Sequence, residues 1–314
     1  MTPKPDEIRD LDASVRQRLF NLSKEQGRDF QSVLKLYFLE RFLYRLSISH
    51  YRDSFLLKGA LLFFARAEPE ARPFTRPTKD IDLEAVAIEP DLEGLREVFA
   101  VVAAIAAPED GVRFRSESIV VESIREDDRY GGIRVHLDAC LGKARDRIQI
   151  DIGFGDAVTP GPVALTYPTF LPALPAPDLS AYPIQTVVAE KWEATISLGE
   201  TNSRLKDVID LDELAGTESF DGAILQQAIR RTFERRETPL DPKATALSVT
   251  YRADRERQAL WVAARTRYER DRAPERFENA MTRVIAFVGP PYLDAAAGRS
   301  FVGRWDPARR EWIR

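Results

Sequence analysis

The residues with the clearest chemical potential lie in Thr78-Lys79-Asp80-Ile81-Asp82-Leu83. Side chains alternate faces along a strand, so Asp80 and Asp82 share one face while Ile81 and Leu83 point into a core. Two like charges placed side by side repel, and a cation offsets that cost. Taken alone, most such pairs are solvated strand faces or turns. A further carboxylate stands in Arg147-Ile148-Gln149-Ile150-Asp151-Ile152-Gly153, where the isoleucines face one way and Gln149, Asp151 and Gly153 the other. Asp151 then either caps the turn that follows its strand or joins Asp80 and Asp82 as a third ligand. Three carboxylates with coordination positions left open suit Mg²⁺, which keeps waters and takes its remaining ligands from substrate phosphates.

These side chains need strands behind them, and the local pattern supplies them. Phe55-Leu56-Leu57-Lys58 reads as a short buried strand ending at Gly59, and residues 60–67 as the helix it feeds. Residues 68–77, with three prolines and with Arg72 and Arg76, read as a loop. Residues 79–87 read as a strand, and residues 91–107 as a helix ending at Pro108. Alternation predicts strands over 112–123, 133–141 and 147–153, with a turn at 127–132. Residues 11–45 carry an apolar helical stripe, and residues 161–183 are proline-rich and read as a long connection. Helical patterns follow over 184–198, 205–214, 223–233, 255–267 and 274–287. Strands in the first half and helices in the second predict an α+β (mixed α/β) chain with a mixed sheet. The expected organisation is a core over 1–160, a connection over 161–182 and a helical domain over 183–314.

Composition narrows the classes. At 314 residues with 44% hydrophobic and 31% charged content, the chain is an ordinary globular protein of about two domains. Cys140 is its one cysteine, which excludes an internal disulfide and a multi-cysteine zinc site and favours a reducing cytoplasm. Two histidines, His50 and His136, exclude a histidine-rich metal centre. The polar start does not read as a signal peptide, and no apolar run reaches the roughly 20 residues of a membrane span. Net charge is −4, yet residues 217–314 hold 19 basic against 14 acidic residues, mostly as arginine. Arginine forks suit phosphates, although solvated helix faces explain the same excess.

Several of these segments together carry a resemblance. Leu57-Lys58-Gly59-Ala60-Leu61-Leu62, Arg76-Pro77-Thr78-Lys79-Asp80-Ile81-Asp82-Leu83 and Ile150-Asp151-Ile152 are similar to the polymerase-β-type nucleotidyltransferase superfamily. The chain more closely resembles the AbiEii/AbiGii toxin family within it. That family is also marked by Glu-Lys on a helix, followed by an Arg-Asp- or Lys-Asp-x-x-Asp-Leu run. Here these are Glu190-Lys191 and Lys206-Asp207-Val208-Ile209-Asp210-Leu211. The similarity spans roughly residues 55–214.

The resemblance implies a metal-dependent nucleotidyltransferase core completed by a helical C-terminal domain. Asp80, Asp82 and Asp151 would hold Mg²⁺, with Mn²⁺ an alternative, and Asp151 would also act as general base. Gly59 and Ala60 would open a helix onto the triphosphate of an NTP. Lys191 and Lys206 would reach that triphosphate, with Asp207 and Asp210 orienting them or touching the nucleotide. Lys58 and Lys79 flank the motifs as further phosphate contacts. An ordinary i,i+4 pair of Lys206 with Asp210 is the structural alternative. Superfamily members often follow the glycine with serine or glycine; Ala60 departs from that and removes one hydroxyl contact. The family implies a growth-arresting toxin with a cognate AbiEi-like antitoxin, and for some relatives the 3′ end of tRNA as acceptor. A protein or small-molecule acceptor, a non-catalytic nucleotide-binding partner and a glycosyltransferase-type Asp-x-Asp are the other classes. The last accounts for neither Asp151 nor the helical Lys-Asp run.

Overall fold

The computed structural model describes residues 11–67, 78–126, 130–267 and 273–313. The loop expected at 68–77, with Arg72 and Arg76, and the turn residues 127–129 lie outside the described residues. The chain divides into two units: residues 1–155 with 163–181, and residues 156–162 with 182–314.

The first unit is built on a seven-stranded sheet. Its strands are β1 (Phe55–Lys58), β2 (Asp80–Ala85), β3 (Val112–Glu126), β4 (Tyr130–Leu141), β5 (Ala144–Phe154), β6 (Val163–Thr166) and β7 (Asp178–Ala181), in the order β3-β4-β5-β2-β1-β7-β6. β3, β4 and β5 form an antiparallel meander, β5 runs parallel to β2, and β1 is antiparallel to β2 and parallel to β7. The sheet is therefore mixed, as expected. Its apolar face is made by Ile81, Leu83, Val135, Leu137, Ile148, Ile150 and Ile152, all buried. Helices α1 (Leu11–Glu25), α2 (Phe30–Ser47), α3 (Gly59–Arg66) and α4 (Leu92–Ala104) complete the unit. Phe42 of α2 stacks on Phe99 of α4 and meets Phe114 of β3 edge-on, so the layers share one aromatic core.

Two expectations change here. The helical stripe over 11–45 is two helices, because Gly27 takes a left-handed φ of 62° and Asp29 then caps α2 by accepting from the Ser32 N–H. The proline-rich segment expected as a connection over 161–182 contributes β6 and β7 to the sheet. Buried charges on α2 hold it in place. Glu40 accepts from the Phe170 N–H at 2.9 Å, and Arg41 donates to the Pro175 carbonyl at 2.9 Å. Burial pushes the Glu40 carboxyl up to about 7 against the pull of Arg41. The prolines of this segment, Pro162, Pro168, Pro172, Pro175 and Pro177, all lie outside β6 and β7, so the ladder loses no N–H to them.

The second unit packs α5 (Ile184–Leu198), α6 (Leu205–Thr217), α7 (Gly222–Arg235), the short α8 (Val249–Arg252), α9 (Arg255–Arg267) and α10 (Phe277–Ala296). A small antiparallel sheet joins β8 (Phe220–Asp221), β9 (Arg304–Asp306) and β10 (Glu311–Ile313). Trp192 of α5 meets Tyr292 of α10 edge-on with ring centres 5.7 Å apart, and Phe233 packs on the same tyrosine. Helix α10 runs nine residues past the end expected from its pattern, through Pro290 and Pro291. Proline removes an N–H from the helix ladder, so Pro291 leaves the Phe287 carbonyl without its i+4 donor. The Trp312 indole N–H donates to that carbonyl at 2.8 Å and restores the lost bond. No helix among the described residues is long and apolar enough to cross a membrane.

Candidate active site

Strand register gathers the sequence-predicted carboxylates of the first unit into one cross-strand row. Lys58 of β1 lies opposite Asp82 of β2, Asp82 opposite Asp151 of β5, Asp151 opposite Arg134 of β4, and Arg134 opposite Glu122 of β3. Neighbouring strands are about 4.8 Å apart, so these side chains stand shoulder to shoulder on the polar face. Asp80 sits one pleat along from Asp82, opposite Gln149. The Thr78 hydroxyl donates to Asp80 Oδ1 at 2.7 Å and fixes the approach to the strand. Asp80, Asp82 and Asp151 are all half-buried.

Glycine shapes the floor of this row. Gly59 has φ +68°, and a Cβ added to it would lie 1.8 Å from Asp82 Oδ2 and 2.7 Å from Asp82 Cβ. Only glycine satisfies both the left-handed backbone and the close approach of the strand-to-helix turn to Asp82. The N-cap Lys58 gives α3 no side-chain cap, so the first-turn N–H groups at Gly59 and buried Ala60 take none from that residue. Lys58 instead pairs with the buried Glu84 at 2.7 Å. That pair passes over Gly153, where an added Cβ would come within 2.6 Å of the Lys58 Nζ. Lys79 is exposed beside Asp80.

Asp151 is held at both of its oxygens. Arg134 Nε and Nη2 donate to its two oxygens at 2.8 Å each, and Gln149 Nε2 lies 3.1 Å from both. The hydrogen bond to Asp151 raises the Arg134 pKa above its ordinary value. Arg134 and Gln149 were not among the residues singled out from sequence. Their alternation in apolar strands was visible, but pairing Arg134 with Asp151 requires the hairpin register. Among the described residues, no three His, Cys, Asp or Glu side chains stand close enough together to hold a metal ion. The donor types fit a hard cation: carboxylate oxygens share one face of the sheet, and the bare Cα of Gly59 lets the Asp82 carboxylate lie against the strand-to-helix turn. Asp151 fits only after it exchanges one of its present partners.

The second unit holds the helical motif. Lys191 of α5 projects between two aspartates of α6, 2.8 Å from Asp207 Oδ1 and 2.7 Å from Asp210 Oδ2. The Lys191 side chain is 15% exposed and those of Asp207 and Asp210 4% and 1%, so this is a buried ion cluster. Burial alone would push the Lys191 amine down; the two carboxylates outweigh it and hold the amine above its usual range. Burial likewise works against ionised Asp207, and Lys191 and Arg204 outweigh it, holding that carboxyl below its ordinary value. Lys206 is half-buried and contributes to the same field. Helix α5 is anchored from its other side by Arg236, which reaches Glu193 at 3.0 Å, Asp156 at 3.3 Å and Glu190 at 3.6 Å.

Comparison with known proteins decides the family. Residues 41–283 match the model of the nucleotidyl transferase AbiEii toxin family, of type IV toxin–antitoxin systems. The chain belongs to this family. It is thus a nucleotidyltransferase of a toxin–antitoxin family, and membership implies an antitoxin partner. Among solved structures, the chain is similar to JHP933 from Helicobacter pylori at 14% identity and TM-score 0.43, covering 86% of this chain and 94% of that one. It is also similar to a candidate nucleotidyltransferase from H. pylori at 12% identity and TM-score 0.46, covering 87% and 100%. No curated protein sequence matches the chain. The AbiEii match includes every site residue named above, from Lys58 to Asp210.

Proposed function

We propose that the charged row of the first unit binds the triphosphate of an NTP and transfers its nucleoside monophosphate to an acceptor hydroxyl, foremost at the 3′ end of tRNA. The observation that carries the reading is the fit of Gly59 against Asp82, which sets a helix start beside a strand carboxylate. A divalent cation, Mg²⁺ or alternatively Mn²⁺, is assigned to Asp80, Asp82 and Asp151, where it would offset charge on the phosphates. Backbone N–H groups at Gly59 and Ala60 bind phosphate oxygens, and Lys58 and Lys79 add positive charge. Asp151 takes the proton of the attacking hydroxyl. The acceptor oxygen forms its bond to the α-phosphorus as the bond to the β-phosphate oxygen breaks, and pyrophosphate leaves.

For the second unit, the reading assigns nucleotide contact to Lys191, Lys206 and Asp210 and keeps Asp207 as a holder of Lys191. Closure of Lys191 between two aspartates supports a second reading, in which the cluster serves the fold of the unit alone. The toxin acts in the cytoplasm, where tRNA and NTP are found, and an AbiEi-like antitoxin counters it. The arginine-rich helices of residues 217–314 are the proposed tRNA-backbone surface.

The test is incubation of the protein with each α-³²P-labelled NTP, Mg²⁺ and total tRNA. Label in tRNA with at least one nucleotide is expected. Label in protein instead would move the acceptor to a side chain. No transfer from any of the four nucleotides would contradict the reading.

A further inference from the structure

The third carboxylate is already spoken for. A carboxylate has about four lone-pair sites, and Asp151 meets four donor contacts: two from Arg134 at 2.8 Å and two from the Gln149 amide at 3.1 Å. The Arg134 fork is a parallel two-point pair between adjacent strands, the strongest geometry available to a guanidinium and a carboxylate. Arg134 and Asp151 are 30% and 19% exposed, so water screens them only in part. By contrast, Asp80 has a neutral hydroxyl from Thr78 on one oxygen, and a hydroxyl yields to a cation more readily than a guanidinium does.

We propose that Arg134 is the resident counter-ion of Asp151, so that a divalent cation gains this third carboxylate only by displacing the guanidinium. The inference rests on the reading that Asp80, Asp82 and Asp151 hold a cation. Arg134 is then a positioning residue. It holds Asp151 aimed along the row while the site is at rest, and it keeps the resting site weak for metal. Gln149, on the same strand as Asp151, steadies the carboxylate from the side. A bound NTP, bringing its own negative charge, supplies the drive to exchange guanidinium for metal.

The experiment is a Mn²⁺ titration of the full chain without nucleotide, read by calorimetry and by the electron spin resonance of free Mn²⁺. Arg134→Gln is expected to bind Mn²⁺ about tenfold tighter than wild type, equivalent to removing about 1.4 kcal/mol of competition. Arg134→Lys, which keeps charge but loses the fork, is expected between the two and guards against a misfolded Gln variant. The gain must run through Asp151, so adding Asp151→Asn should erase it. Equal Mn²⁺ affinity in wild type and both Arg134 variants would overturn the proposal, as would a gain that survives Asp151→Asn. Asp82→Asn separates this from the underlying reading. If it leaves Mn²⁺ binding unchanged in every background, the cation site itself is wrong. If it weakens binding while Arg134 variants do nothing, only the counter-ion role falls.

Discussion

Two groups of charges, one in each unit, use the same residue types in different settings. In the first unit, Asp80, Asp82 and Asp151 stand half-buried on strands, and Gly59 is kept bare so that a helix start can approach them. In the second, Lys191, Asp207 and Asp210 are buried between helices and satisfy one another. One lysine set between two aspartates, with Arg204 3.3 Å from Asp207, ties the two helices together. In the strand row, Asp151 rests on the Arg134 fork while Asp80 accepts from the neutral Thr78 hydroxyl, on a half-buried face. Loss of stability and loss of activity should therefore separate between the two groups, even though both lie within one family match.

The largest effect on stability is expected at Lys191→Met, which removes the cation shared by two buried carboxylates and should cost about 3–5 kcal/mol in urea unfolding. A cost below about 1 kcal/mol would show that the cluster is loosely held and erase the contrast. Gly59→Ala comes next. It forces a left-handed Ala and displaces Asp82, so transfer should be lost with a stability cost of about 1–3 kcal/mol. Asp207→Asn sharpens the comparison through pH. The Asp207 carboxyl lies below its ordinary 3.8 in the folded chain, so its contribution is present above that value and lost as pH falls through the folded one. The stability gap between wild type and Asp207→Asn should stay flat from about pH 5 to 9 and close below about pH 4. Lys191, held above 10.5, adds a contribution that is complete below that value and fades only at higher pH. The smallest effect is expected at Thr78→Val, which removes one hydroxyl bond to Asp80. Transfer should drop several-fold while unfolding shifts by no more than about 1 kcal/mol.

Much of this arrangement was legible from local pattern, where one element decides the outcome. Helix α5 begins and ends at Ile184 and Leu198, as its stripe predicts, and Asp80 and Asp82 share a strand face because the period of a strand is two. What escaped was set by partners distant in sequence. β6 and β7 look like proline-rich loop until Glu40 and Arg41 of α2, some 130 residues earlier, fasten residues 170–175. β9 and β10 are three residues each, too short for alternation to register, and are held by Trp305 and Trp312 against Phe287. The helical pattern of α10 ends at 287, and the partner of the Phe287 carbonyl beyond it, Trp312, lies 25 residues further on. At the site, the identities of the carboxylates were readable, whereas the Arg134–Asp151 fork was not. A one-residue slip in the β4–β5 register would have turned Arg134 to the other face.

The most direct test of the account is transfer of label from α-³²P NTP by Asp82→Asn, beside a urea melt of the same protein. The variant removes one charge from the row and leaves the packing volume nearly unchanged. The account predicts transfer reduced by at least about a thousandfold, with an unfolding free energy within about 1 kcal/mol of wild type. Transfer at wild-type rate from a folded Asp82→Asn protein would contradict it.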